Sequence, residues 1–159
     1  MESFYKYVGE MNDQIFQEIR RVAGAAVRIF HITDLDDGRK IAAQVRKIVD
    51  EILETGKFPE EYEDIMDVAI GLGAVFGNAL CIGYGWEWKE LGESEENTVH
   101  SVVSPKGYFS NAPMLYLYRI LTGNNIGLDG QNDNTVLLLY NMLENIDEKP
   151  EDKMYIPMA

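Results

Sequence analysis

Apolar residues recur every three or four positions through the first third of the chain. Ile15, Ile19, Val22, Ala26 and Ile29 follow one another at four, three, four and three, which lays a single apolar stripe along a helix. This spacing predicts a helix from Asn12 to Phe30, with Arg20, Arg21 and Arg28 turned away from the stripe. Ile41, Val45, Ile48 and Ile52 predict a second helix. Thr33 is its expected N-cap, with Asp36 three residues on. Gly56 ends it and Pro59 blocks its continuation. Tyr62, Ile65, Ala69, Leu72, Phe76 and Leu80 predict a third helix, with Pro59 in its first turn. Glu60, Glu61, Glu63 and Asp64 then fall near its N-terminus, where the macrodipole favours negative charge.

From Val68 to Trp86 there is no charged residue at all. Here the other faces of the third helix are apolar or glycine too, as in a central helix surrounded by neighbours. Ala69, Gly73 and Gly77 lie four apart, on a face without bulk that lets another backbone approach closely. Trp86 and Trp88 then alternate with Glu87 and Lys89, the period of a half-buried strand. Gly92 to Asn97 reads as a polar connection, and Thr98 to Val103 as the β-branched partner strand. Pro105-Lys106-Gly107 turns the chain, and Tyr108-Phe109 supplies a short third strand. Ser110 or Asn111 caps a helix from Pro113 with Met114, Leu117, Tyr118 and Leu121 inward, ended by Gly123. After a polar loop from Asn124 to Asn132, a last helix is expected over 133–146. The tail, 147–159, is charged and then apolar; it is either loose or docked by its apolar end.

The pattern predicts an α+β fold: about five helices around a small antiparallel sheet of two or three strands. A length of 159 residues suits one globular domain over 1–159, and 46% hydrophobic content is enough for a core without staples. The single cysteine, Cys81, excludes an internal disulfide, and its apolar setting marks it as an inert core thiol. The uncharged run is long enough to cross a membrane. Its five glycines and Asn78, with acids on both flanks and no basic cluster, argue against that. The N-terminus, Met1 to Lys6, lacks a basic region followed by an apolar stretch. A reducing, cytoplasmic setting is the expectation.

Charge sharpens the picture. The net charge is −13, but residues 1–50 carry eight basic and eight acidic side chains. Residues 51–100 carry only Lys57 and Lys89 against twelve acids, a net of −10. Phosphate backbones would be repelled, so nucleic acid is not the expected partner. A basic protein is, although acidic surface also serves solubility alone.

Motifs for chemistry are weak. Gly71-Leu72-Gly73-Ala74-Val75-Phe76-Gly77 follows a helical pattern rather than a strand, so it reads as packing and not as a nucleotide cradle. Asp34-Leu35-Asp36-Asp37-Gly38 opens like a calcium loop, but Val45 stands where the twelfth-position acid belongs. The oxygen-rich run Asp129 to Asn134 is explained by turn and cap chemistry. His31 and His100 are the only histidines, and no metal-ligand spacing joins them to Cys81. A Cys81–His100 pair would need an activated thiolate, the opposite of an uncharged helix. No cofactor is expected.

The stretch from Val68 to Leu121 resembles a loose group of small bacterial domains. The resemblance rests on Leu72-Gly73-Ala74-Val75-Phe76-Gly77-Asn78-Ala79-Leu80, Gly85-Trp86-Glu87-Trp88, Val102-Val103-Ser104-Pro105 and the helix from Pro113 to Leu121. It covers about a third of the chain. Some proteins that look like this are suspected immunity partners of secreted toxins, which implies a cytoplasmic, non-catalytic inhibitor. The expected function is therefore occlusion of a basic toxin, such as a nuclease, by an acidic surface. Glu87, Glu90, Glu93, Glu95 and Glu96 are the expected contacts, with Tyr84 and Tyr108 as aromatic anchors. The alternatives are a self-associating structural or regulatory subunit, hence a homo-oligomer, and an enzyme with a carboxylate site.

Overall fold

The computed structural model describes residues 4–148 and 153–159. The apolar stripes form the helices they predict. Helix α1 spans Asp13–Phe30, and its N-cap Asn12 accepts the amide of Ile15 at 2.8 Å. It ends at His31, which takes the left-handed conformation at φ 57°. Helix α2 spans Gly38–Thr55 and closes on Gly56 at φ 69°. Its cap is Asp37, not Thr33: the Asp37 carboxylate accepts the Lys40 amide at 3.1 Å. The amide of Thr33 instead donates to Gln44 Oε1 at 2.9 Å, which ties the interhelical loop back onto α2.

Helix α3, Ile65–Tyr84, is the centre of the molecule. It starts later than Pro59, because the Asp64 side chain offers the cap, accepting the Asp67 amide at 3.0 Å. Pro59 lies in a preceding turn, where its carbonyl accepts the Tyr62 amide at 3.1 Å. Glu60, Glu61 and Glu63 thus stand before the helix, and only Asp64 and Asp67 sit where the dipole favours them. The helix is long and apolar enough to cross a membrane. In this fold it is a core helix instead, with Val68, Leu72, Phe76 and Leu80 fully buried. Helices α1 and α2 pack on it, as does α4, Pro113–Leu121.

The small-residue face works as its spacing predicts. A Cβ on Gly73 would stand 2.6 Å from the Met114 Cα, so the backbone of α4 occupies that space. A Cβ on Gly77 would stand 2.4 Å from the Trp88 ring. That ring also anchors the sheet to the helix, its indole N–H donating to Asn78 Oδ1 at 3.0 Å.

Among the described residues the sheet has five strands rather than two or three, and it is mixed rather than purely antiparallel. Strands β1 (Tyr7–Glu10), β2 (Glu87–Ser94), β3 (Asn97–Val103), β4 (Phe109–Asn111) and β5 (Ile156–Pro157) lie side by side in chain order. All neighbours are antiparallel except β4 and β5. The two extra strands are edges, with four and two residues, and too short to show a period. The polar stretch expected as a connection belongs to the β2–β3 hairpin, whose turn is Glu95-Glu96 alone. Gly92 permits this, since a Cβ there would come within 1.9 Å of the Asn97 carbonyl oxygen.

Helix α5 covers only Val136–Met142, with a 3-10 turn over Leu143–Asn145. Side-chain amides hold the preceding backbone out of the helix. Asn125 donates to the Asp133 carbonyl at 2.7 Å, and Asn134 to the Arg46 carbonyl at 2.9 Å. Of the tail, residues 149–152 lie outside the described residues. Its apolar end is docked: the Ile156 amide donates to Tyr108 and the Met158 amide to Ser110, at 2.8 and 2.7 Å.

Candidate functional site

Strand β2 is eight residues long, so its ends are about 23 Å apart. That length separates the seven residues expected to meet a partner. Glu93, Glu95 and Glu96 come together at the hairpin tip, all exposed. Glu93 faces Lys6 at 3.4 Å, a pair in which both side chains are largely in water. Such a pair contributes about 0–1 kcal/mol and leaves the carboxylate available.

The other four residues are placed elsewhere. Glu90 is half-buried in mid-strand, opposite His100 in the β2–β3 register. One of its oxygens meets His100 Nδ1, and the other accepts the Thr98 hydroxyl at 2.6 Å. Its hydrogen-bonding capacity is largely spent inside the sheet. Glu87, at the far end of β2, borders a small recess with Lys89, Lys106 and Lys153. Tyr108 lies near that end too, edge-on to Phe109 at 4.7 Å. Tyr84, at the end of α3, donates its hydroxyl to the Tyr140 carbonyl at 2.7 Å. Burial, foremost, and the nearby Glu144 raise its pKa, partly offset by Arg39.

A large concavity opens beside the hairpin. It is a groove of about 810 Å³ between α1, the N-terminal half of α3, the start of α4 and strand β3. Ile15, Val22 and Ile29 of α1 form one wall; Met66 and Ile70 of α3 and Leu115 of α4 form the other. Thr98, Val99 and His100 close the end nearest the hairpin tip. Glu18, Arg21, Glu61 and Asp67 also line it. The Arg21 guanidinium is bonded to Glu18, and His100 to Glu90. Arg21 is thus neutralised internally, while Glu61 and Asp67 have no basic partner among the described residues.

Tyr62 lines this groove, and its hydroxyl is packed against Gly71, where a Cβ would be 3.0 Å away. Its oxygen is buried and makes no hydrogen bond. Burial raises its pKa first, and the negative charges of Glu61 and Asp67 raise it further. The ring stacks on Phe30 at 5.7 Å. Sequence reading placed Tyr62, Ile15, Val22 and Ile29 on inward faces and so missed the groove.

Chemistry is sparse around these features. Among the described residues no group of three or more His, Cys, Asp and Glu side chains is arranged to hold a metal ion. The Cys81 thiol is pushed up to about 12, mainly by burial and secondarily by Glu87. It stays protonated at neutral pH and is a poor nucleophile. Comparison with known proteins gives no match: no family model fits the chain, and no curated protein or solved structure is significantly similar.

Proposed function

We propose that this chain is a non-catalytic protein-binding module of the toxin-neutralising, immunity kind, acting in the cytoplasm. It binds a basic partner, such as a nuclease, and covers the cationic cleft with which that partner holds its polyanionic substrate. The observation that supports this reading is the exposed acidic tip, Glu93, Glu95 and Glu96, set beside an apolar groove whose unpaired charges are also negative. Negative potential at a protruding tip speeds encounter with a positive surface. Adjacent apolar surface then supplies the short-range part of the affinity. Glu87, Glu90, Tyr84 and Tyr108 are given no contact role in this reading, because each lies away from the tip or is already engaged. An acidic face is also poorly suited to pairing with its own copy, which disfavours self-association through it.

The test is capture of a partner from the native cell at low and high ionic strength, followed by association kinetics with the purified partner. Glu93→Lys, Glu95→Lys and Glu96→Lys together should slow association by about tenfold or more at low salt, and leave the melting temperature in place. Association that is unchanged by the triple reversal and by salt would remove the acidic tip from the mechanism.

A further inference from the structure

The groove runs along α1 from Ile15 to Ile29, fourteen helical steps, or about 21 Å. Apolar side chains of α1 line that whole length, which makes the groove an elongated slot suited to a row of side chains. The lips carry apolar groups in water: Met66 is 39% exposed and Leu115 48%. The carboxylates of Glu61 and Asp67, without basic partners among the described residues, line the slot too.

We propose that this slot seats an amphipathic helix belonging to a basic protein partner. The inference rests on the protein-binding reading above and names the element recognised. An apolar row at i, i+4, i+7, i+11 and i+14 spans about 21 Å of helix and matches the slot from end to end. Lysines or arginines flanking that row lie over Glu61 and Asp67. Charge complementarity selects this occupant over an acyl chain. Fatty acids and phospholipids bring an anionic head, and the guanidinium lining the groove, that of Arg21, is already committed to Glu18.

The probe is a Leu/Lys peptide of about four helical turns with one leucine face, measured by calorimetry on the full chain. Two controls share its length: a Leu/Glu peptide with the same face, and a Leu/Lys peptide of scrambled order. The patterned Leu/Lys peptide should bind at least about tenfold more tightly than either. Ala25→Trp, which fills the slot from α1, should weaken it by about tenfold or more. Met66→Lys, a change at an exposed position, should do the same through charge and so guards against misfolding of the tryptophan variant. Glu61→Gln with Asp67→Asn should weaken binding and flatten its salt dependence. Equal binding by the scrambled peptide, or full binding by both Ala25→Trp and Met66→Lys, would overturn the proposal. So would displacement of the peptide by dodecanoate that Ala25→Trp abolishes, since that is the behaviour of an acyl-chain site. The triple lysine reversal at the hairpin tip separates the two readings. If the slot is correct and the tip mechanism wrong, groove variants lose the peptide while tip variants keep the native partner's kinetics. If the tip is correct and the slot wrong, the reverse holds.

Discussion

Gly73 and Gly77 lack side chains because other atoms fill that space: the α4 backbone at one, the Trp88 ring at the other. The contact at Gly73 is with main chain, which cannot rotate aside. Gly73→Ala should therefore destabilise the protein by about 1–3 kcal/mol despite the better helix propensity of alanine. Urea denaturation measures this, and a midpoint equal to wild type would mean that α4 can shift at no cost. Spacing alone predicted a close approach on this face. What approaches it, a proline-started helix on one turn and an indole on the next, required the fold.

At the scale of elements, the strongly periodic segments are where sequence predicts them. Helix α1 agrees to within a residue because stripe, Asn12 cap and end point all coincide. Starts without such agreement moved. Asp37 displaced Thr33 as a cap, and Asp64 displaced Pro59 as the beginning of α3, because in each case a carboxylate closer to the stripe bonds the exposed amides. Asp64→Ala should cost about 0.5–2 kcal/mol and raise amide exchange in the first turn of α3. Unaltered exchange at Asp67 would show that the cap is idle. The edge strands β1 and β5 were illegible for a different reason. They have too few residues for a period, and their pairing partners are distant in sequence: Val8 meets Leu91, and Ile156 meets Phe109.

For the molecule as a whole, burial couples three groups to alkaline stability. Burial, the leading cause in each case, pushes the Cys81 thiol from 9.0, and the Tyr116 and Tyr140 phenols from 10.0, up to about 12. Well below pH 9 all three are protonated in both folded and unfolded chains, and stability is unaffected by them. As pH rises from 9 toward 12, the unfolded chain releases protons that the folded chain retains, so stability falls. Urea midpoints measured from pH 8 to 11 should be flat at first and then decline. Cys81→Ala should remove the earliest part of the decline. A midpoint constant to pH 11 would mean that these groups ionise freely in the native state.

Sequence by itself determined the α+β class, the central buried helix, the β2–β3 pairing and the segregation of charge into the middle of the chain. These are properties of local period and composition, which each segment carries without its neighbours. Only the tertiary structure decided which acids remain available. Glu90 was lost to His100 and Thr98 through cross-strand register, Glu87 was set at the far end of β2, and Glu93, Glu95 and Glu96 were left together at a tip. It also decided that part of the α1 stripe lines an open groove, because whether an apolar face is covered depends on where α3, α4 and the hairpin stop, and no single segment encodes that.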